Sequence, residues 1–319
     1  RHRGSTKSET LIMLTRRNVL ATAPATIVAG ASNSAAAASA LPHLEFPTPQ
    51  AHVRAFIKIL ASLEDAAIFH MYKGTLEALL PGRAPVRLVD STTVIRRKVV
   101  VKPEGHHISI WEATVYHRAG ETEPLESFEN PLNGRKVRPF HQREGRGESL
   151  WTDEGSMFRR ADGTWASSNR NGTPFALEWS QAGDRIWTSR YRSGVYLKHP
   201  LDPETWPLEF AGPDLLYSEK TTSNGLVREM ADPTVTNASA TYSLSQGMIW
   251  WPWLLMGQTP GYLLWNTNGV KLSNPDQIAA AERNMIEKVH PTIFGRDAPW
   301  DGHVNLWTDY PKMRAPEKV

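Results

Sequence analysis

The sequence predicts one mainly β domain over residues 41–319. An antiparallel sheet of about eight to ten strands is expected to form a lipocalin-like barrel or a sandwich beneath two covering α-helices. Apolar and polar residues alternate with period two in several segments, as in half-buried strands. The sequence shows neither a tandem repeat nor an alternation of strand and helix patterns. Dipeptides typical of tight turns recur along the chain: Asn133-Gly134, Asp162-Gly163, Asn171-Gly172, Asn224-Gly225 and Asn268-Gly269.

Two segments have helical periodicity. In the first, predicted over residues 49–63, Thr48 is a favourable N-cap and Pro49 suits the first helical position. Its apolar stripe is Val53, Phe56, Ile57, Leu60 and Leu63. The second helix begins at Asn274-Pro275, runs to about residue 289 and ends before a proline. Its stripe is Ile278, Ala281, Met285, Ile286 and Val289. Because each helix has one apolar face, both are expected to cover the sheet.

The strands are predicted from alternation between turns. Residues 92–102 place Ile95, Val99 and Val101 on one side and Arg96, Lys98 and Lys102 on the other. After the turn at residues 103–105, residues 106–116 form the partner strand of a hairpin. A second hairpin is predicted from 175–179 and 185–191, and residues 199–240 are expected to be a long connection. Further short strands are expected near 66–73, 125–129, 148–152, 164–168 and 262–267.

Composition and charge exclude several function classes. The 319 residues contain no cysteine, which removes disulfides, thiol catalysis and cysteine-bound metal clusters. Five of the 36 basic residues and one of the 33 acidic residues fall within residues 1–40, so the rest of the chain is balanced at 31 basic against 32 acidic. With nearly equal numbers of basic and acidic residues, this part of the chain has no excess positive charge for binding nucleic acid. No apolar run is long enough for stable membrane insertion.

The first 40 residues resemble an export signal. Thr15-Arg16-Arg17-Asn18-Val19-Leu20 resembles a twin-arginine motif, and an apolar stretch leads to the small-residue site Ala38-Ser39-Ala40. Met13 is the expected start of translation. We expect the twin-arginine export machinery to carry the folded chain, with cleavage near Ala40. The mature protein would then be periplasmic or secreted, where a chain without thiols suits the oxidising compartment.

Residues 249–265 are rich in aromatic side chains. The segment contains Trp250, Trp251, Trp253 and Trp265. Indole rings can form the wall of a pocket for a ring-bearing or isoprenoid ligand, or they can simply fill the core. Both interpretations stay open from the sequence.

The strand 106–116 contains the candidate catalytic group. Alternation places His106, Glu112 and Tyr116 on one face and Trp111 on the other. If the first face is inside, Glu112 is a carboxyl among apolar side chains, where desolvation favours its neutral form and makes it a candidate general acid or base. If that face is outside, Glu112 is an ordinary surface charge.

A turn near residues 126–134 offers further polar groups. Glu129, Asn130 and the later His141 could converge at its mouth. For Asn130 and Asn133 the structural interpretation, in which each asparagine caps its own turn, is favoured.

Metal chemistry has little support in the sequence. His106 and His107 are adjacent and therefore face opposite sides of a strand, and no spacing typical of a metal-binding motif occurs. A site assembled from distant histidines remains an alternative, with candidates His70, His106, His141, His199 and His303.

These motifs resemble the DUF1838 family. Residues 129–137 resemble the family's Asn-Pro turn, and residues 112–116 are similar to the strand before it. The segment 251–257, followed by Pro260-Gly261 and Trp265, resembles its C-terminal signature. The resemblance covers roughly residues 50–297 and implies a family whose members often have export signals. Because the family is one of unknown function, it assigns no catalytic residue.

The residues together predict binding of a hydrophobic or aromatic small molecule in a Trp-lined cavity. If the protein is an enzyme, we expect isomerisation, elimination or hydrolysis without a cofactor, by Glu112 with help from His106 or Tyr116. A carbohydrate or cell-envelope binding module, with exposed coplanar tryptophans, and a metalloenzyme with scattered histidine ligands are the alternatives. The predicted ligand-binding residues are Trp111, Glu129, Asn130, His141, Trp250, Trp253, Met256 and Trp265.

Overall fold

The computed structural model describes residues 41–160, 162–168, 173–299 and 302–318, without the side chains of residues 146, 195 and 196. The predicted export signal, Met13 and the turn at 171–172 lie outside the described residues. Leu41–Val319 forms one compact unit. Among the described residues, no helix has both the length and the apolar content needed to cross a membrane.

The described elements are mostly β-strands. The four α-helices are α1 Pro49–Leu60, α2 Val227–Ala231, α3 Ala280–Val289 and α4 Leu306–Met313. The strands are β1 Ala66–Leu79, β2 Val86–Lys102, β3 Gly105–His117, β4 Phe128–Glu129, β5 Lys136–Val137, β6 Gln142–Thr152, β7 Gly155–Arg159, β8 Trp165–Ser167, β9 Trp179–Ala182, β10 Arg185–Lys198, β11 Asp214–Leu226, β12 Ala240–Met248 and β13 Tyr262–Leu272. Two 3₁₀ turns cover Pro252–Leu254 and Pro275–Gln277.

Eleven strands form a single antiparallel sheet, and β4 pairs only with β5. The order across the large sheet is β8-β7-β6-β3-β2-β1-β13-β12-β11-β10-β9. The prediction of a mainly antiparallel β fold with few helices is confirmed. The predicted β2–β3 hairpin is also confirmed, with Ile95 opposite Glu112 and Val101 opposite His106.

Helix α1 begins at Pro49 as predicted and ends at Leu60, three residues before its predicted end. The Thr48 hydroxyl accepts a hydrogen bond from the Ala51 amide at 3.2 Å, and Val53, Phe56 and Ile57 are buried. The second predicted helix is interrupted. Asn274 caps the short turn Pro275–Gln277, Ile278 then adopts extended backbone angles, and α3 begins only at Ala280.

The prediction that residues 199–240 form a long connection is wrong for residues 214–226. These residues are β11, which lies between β12 and β10 inside the sheet. Both faces of β11 are polar. Glu219, Thr221 and Ser223 lie on one face, and Ser218, Lys220, Thr222 and Asn224 lie on the other. An alternation of apolar and polar residues is therefore missing, and the strand gives no period-two signal.

The sheet curls around α1. Strands β6 and β10 are seven positions apart in the sheet, which corresponds to about 33 Å if the sheet were flat. Yet Phe56 of α1 contacts both strands. Its ring centre is 5.4 Å from the ring of Trp151 on β6 and 5.1 Å from the guanidinium carbon of Arg190 on β10. We call the face toward α1 the inner face, and the face that packs on α3 through Trp111, Val94 and Met285 the outer face.

Residues just before β9 join the two margins of the curled sheet. The Phe175 amide donates to the Glu154 carbonyl at 3.3 Å, and the Phe175 ring lies 5.5 Å from that of Trp151. Within the described residues, β8 and β9 are the end strands of the sheet order and are not paired with each other.

Candidate functional site

The inner face has a row of buried polar side chains across eight strands. Opposite residues in the register share a face, so one row can be followed from β10 to β6. Its members are Thr188, Ser223, Tyr242, Gly269, Tyr72, Thr93, Thr114 and Gln142. All eight residues are buried. Apart from Gly269, the members of this row have hydroxyl or amide side chains, which is unusual because sheets normally bury apolar side chains.

Helix α1 covers the inner face on one side of this row, in the direction along the strands. His70 Nε2 donates to the Leu60 carbonyl at 2.8 Å, and the Tyr242 hydroxyl donates to the Ile59 carbonyl at 2.6 Å. These two bonds use carbonyls at the helix C-terminus, which have no partner within the helix.

Tryptophans cover the inner face on the opposite side of the row. Trp250, Trp251 and Trp253 are each 2 % exposed, and the ring centres of Trp251 and Trp253 are 5.8 Å apart. Trp265 Nε1 donates to the Ser91 hydroxyl on the inner face at 2.8 Å. We call the enclosed part of the inner face, between α1 and these tryptophans, the polar interior. The carbohydrate alternative requires exposed coplanar rings, and these buried rings do not supply them.

Glu112 lies in the polar interior and is 2 % exposed. Thr114 Oγ1 donates to Glu112 Oε1 at 3.4 Å, and Thr114 in turn shares a 2.8 Å hydrogen bond with Thr93. A second carboxylate, Glu144 of β6, is directly opposite Glu112 in the register. Asn305 Nδ2 donates to Glu144 Oε1 at 3.0 Å. Two neighbouring carboxyl groups are a typical arrangement for acid–base chemistry.

Tyr116 lies on the same face as Glu112, about 13 Å further along the strand at the level of the backbone. Gln142 Nε2 donates to its hydroxyl at 2.7 Å. Burial raises the pKa of Tyr116 well above its ordinary value, and the charges of Glu112 and Glu144 raise it further. The phenol therefore keeps its proton at neutral pH and can act as a hydrogen-bond donor or general acid.

The structure does not bring His106 to Glu112. Six residues separate them on β3, which is about 20 Å along the strand. His106 Nε2 instead contacts the Leu63 carbonyl at 3.3 Å beyond α1, and burial lowers its pKa. Of the two helpers predicted from the sequence, Tyr116 is the one that lies with Glu112 in the polar interior.

Two predicted ligand-binding residues lie elsewhere. Trp111 is on the outer face, where the guanidinium carbon of Arg96 is 4.3 Å from its ring centre. Glu129 is exposed, and its strand pairs with Lys136. Neither residue contributes to the polar interior.

Asn130 and Asn133 hold the tryptophan segment in place. Asn130 is fully buried; its Nδ2 donates to the Leu254 carbonyl at 2.8 Å and its Oδ1 accepts from the Leu132 amide at 3.0 Å. Asn133 Nδ2 donates to the Leu255 carbonyl at 2.9 Å. Leu255 has a φ of 54°, a left-handed conformation that is costly for leucine. Each asparagine also caps its own turn, as predicted.

Replacing Asn130 with alanine is expected to lower the free energy of unfolding by about 2–3 kcal/mol. The Leu254 carbonyl would keep only the longer 3.3 Å bond from Asn133, and the Leu132 amide would lose its bond to Asn130 Oδ1. Urea denaturation followed by tryptophan fluorescence measures the loss. Asn268→Ala, at an exposed site on β13, is the matched control and is expected to change stability by less than about 0.5 kcal/mol. Equal effects for the two variants would contradict the role of Asn130.

Met256 and His141 are also parts of the tryptophan end. Met256 Sδ lies 3.4 Å from Asn130 Nδ2. His141 Nδ1 accepts from the Tyr116 amide at 3.2 Å, and its ring stacks on Tyr116 at 5.9 Å between centres. Burial lowers the pKa of His141 to about 4. His141 is therefore neutral at physiological pH and positions the strand that bears Tyr116.

The scattered histidines do not converge. Among the described residues, no group of three or more His, Asp or Glu side chains lies close enough together to hold a metal ion. His199 Nδ1 accepts from the Leu201 amide at 3.2 Å, and His303 Nδ1 accepts from the Gly145 amide at 2.9 Å. These two nitrogens are engaged by backbone amides.

Two clefts open mainly on the outer face. One of about 410 Å³ lies beside α3 and includes Thr92 and His117, whose Oγ1 and Nε2 are 3.0 Å apart. Another of about 280 Å³ is lined by Ser, Thr and Asn side chains such as Ser243 and Asn268. Neither cleft is lined by tryptophan, so the Trp-lined cavity expected from the sequence is not one of these two.

Three polar residues of the inner face were not identified from the sequence. Arg97, Thr188 and Thr267 are buried, and each has side-chain atoms without a hydrogen-bond partner among the described residues. Arg97 could have been noticed in the sequence, because it is a charged residue on the same side of an alternating strand as Ile95 and Val99. Thr188 and Thr267 had no comparable signal.

A protein-family model matches part of the chain. Residues 219–307 match a family model described as a protein of unknown function, DUF1838. This match confirms the predicted resemblance over those residues, which include the tryptophan segment; the turn at 129–137 lies outside it. No curated protein matches the chain.

One solved structure, described as a candidate AttH from Nitrosomonas europaea, aligns at 13 % identity with a TM-score of 0.18. The alignment covers 72 % of this chain and 55 % of the other, so this chain spans about half of that protein's length.

Proposed function

We propose that the chain binds a ring-bearing small molecule in the polar interior and transforms it by acid–base chemistry, with Glu112 moving the proton. In this proposal the curled sheet acts as a lipocalin-like barrel. The ring of the ligand lies toward Trp265 and Tyr116, and its polar groups lie along the row of hydroxyls. The proposed place of action, periplasmic or secreted, is supported by the sequence of residues 1–40 alone.

The observation that carries this proposal is the burial of Glu112 on the inner face, beside a row of polar residues. Burying a carboxyl group costs several kcal/mol unless other groups compensate. Carboxyl groups held in such positions are candidate acids and bases. Thr93 and Thr114 form a hydrogen-bonded chain that ends on Glu112 and fixes the position of its Oε1.

Within this site the side chains have distinct tasks. Glu112 takes a proton from the ligand or gives one to it. Tyr116, which keeps its own proton, donates a hydrogen bond to an oxygen on the ligand, where negative charge develops as the proton moves. The tryptophans and α1 exclude bulk water, which strengthens both interactions.

Replacing Glu112 with glutamine is expected to lower turnover at least 100-fold while affinity for the ligand stays the same, because glutamine keeps the shape but cannot exchange a proton. A library of ring-bearing small molecules is incubated with the protein in deuterated water. Mass spectrometry then detects conversion products or deuterium at carbon, and thermal shift reports binding.

Glu126→Gln, which changes an exposed carboxylate in the same way, is the matched control and should leave turnover unchanged. Turnover that survives in Glu112→Gln removes Glu112 from the mechanism. A library from which no compound binds the wild-type protein contradicts the proposed function as a whole.

A further inference from the structure

Arg97 is a buried cation, and no ion-pair partner for it lies among the residues that the structure describes. It lies on β2 between Ile68 and Ile110 in the register, on the inner face, and is 8 % exposed. Its Nε and Nη1 atoms have no hydrogen-bond partner among the described residues, and no described carboxylate forms an ion pair with it. Arginine keeps its charge in proteins, so it cannot avoid this cost by losing a proton.

The adjacent residue, Arg96, shows what a structural arginine looks like in this fold. Arg96 is fully buried on the outer face. Its Nη2 donates to the Ala298 carbonyl at 3.0 Å, its Nη1 donates to the Gly295 carbonyl, and its guanidinium lies over Trp111. Backbone carbonyls thus accept from both terminal nitrogens of Arg96, whereas Nη1 of Arg97 has no such partner among the described residues.

The surroundings of Arg97 favour an anion. The guanidinium group of Arg190, five strands away in the sheet order, also lies inside the curl against Phe56. Burial lowers the pKa of Arg190 to about 10; the positive charges of Arg192 and Arg97 lower it further, and the negative charge of Glu219 opposes them. Thr188, two residues from Arg190 on β10 and on the same face, has a buried hydroxyl without a hydrogen-bond partner among the described residues. Guanidinium and hydroxyl groups are suited to bind a negatively charged group.

The position of Arg97 relative to Glu112 fits a ligand that spans both. Ile95 is directly opposite Glu112, so Arg97 is the diagonal neighbour of Glu112 on the inner face. Diagonal neighbours across two strands are about 7–8 Å apart. An anionic group held by Arg97 would therefore place the adjoining carbon atoms of the ligand within reach of the Glu112 carboxyl.

We propose that the ligand of the polar interior is a carboxylate, and that the guanidinium group of Arg97 binds its two oxygens. This inference rests on the proposed function and adds the chemical class of the substrate. The planar guanidinium matches a carboxylate with two parallel hydrogen bonds. The ring of the ligand then extends past Thr93 and Thr114 toward Trp265.

Benzoate and benzamide test the inference, because they have the same shape and differ in charge. Thermal shift with each probe at millimolar concentration is expected to show that benzoate stabilises the wild-type protein and benzamide does so at least tenfold more weakly. In Arg97→Met the response to benzoate is expected to disappear. The melting temperature of that variant without ligand is expected to be unchanged or higher, since an uncompensated buried charge has been removed.

Arg97→Lys keeps the positive charge but lacks the paired N–H donors of the guanidinium group, so it is expected to bind benzoate at least tenfold more weakly. This variant gives a second test if Arg97→Met folds poorly. Arg185→Met, at an exposed arginine on β10, should respond like the wild type. Benzoate binding that survives both Arg97 variants overturns the inference. Equal binding of the two probes overturns the carboxylate class but leaves the proposed function standing, and binding of neither probe overturns the inference.

Discussion

Replacing Phe56 with alanine is expected to lower the free energy of unfolding by about 3–5 kcal/mol, the range for deleting a buried aromatic ring. The ring is 2 % exposed and contacts Trp151, Arg190 and Phe175, which come from strands or segments far apart in the sheet. Its loss would leave a cavity at the point around which the sheet curls. Urea denaturation, followed by tryptophan fluorescence and circular dichroism, measures the change.

Phe158→Ala is the matched control for this prediction. Phe158 lies on β7 and is 50 % exposed, so its truncation is expected to change stability by less than about 0.5 kcal/mol. A loss below about 1 kcal/mol for Phe56→Ala would show that the sheet does not depend on this contact for its curl.

Acidification from pH 6.5 to about 4 is expected to destabilise the protein steeply, because buried histidines are held neutral in the folded state. Burial lowers the pKa of His141 to about 4, and burial with the charges of Arg97 and Lys271 lowers that of His70 well below its ordinary value. The unfolded chain takes up these protons near pH 6.5 and the folded chain does not. Their stabilising contribution is therefore complete above pH 6.5 and is lost as the pH falls.

Each such proton contributes a slope of about 1.4 kcal/mol per pH unit within that window. His141→Gln retains an acceptor for the Tyr116 amide and removes the titration, so the slope of its unfolding free energy between pH 6.5 and 4 should fall by about that amount. His43→Gln, at an exposed position, should keep the wild-type slope. An unchanged slope in His141→Gln would show that His141 is not held neutral by the fold.

The elements that could be predicted from the sequence are those with one apolar and one polar face. Helix α1 and the β2–β3 hairpin have this pattern, and both formed at the predicted positions. Strand β11 could not be predicted, because the interior that it faces is itself polar and removes the alternation. Helix α4 lacks a clear signal for a different reason, since Pro311 lies inside it.

The candidate site was predictable in part. Alternation placed Glu112 and Tyr116 on one face, and the structure shows that this face is the inner one. The tryptophans were expected either as pocket walls or as core, and they pack on one another as one end of the interior. The surroundings of Arg97 depend on which strands curl toward each other, and no local pattern in the sequence contains that information.

The enclosure of the polar interior has a kinetic consequence. If the polar interior binds a small molecule as proposed, α1 at one end and the tryptophans at the other would let that molecule exchange with solvent only when part of the fold opens locally. Opening costs least where few backbone hydrogen bonds must break, and among the described residues that is the margin between the short strands β8 and β9. The observed rate of complex formation should therefore reach a plateau at high ligand concentration, set by that opening rather than by diffusion.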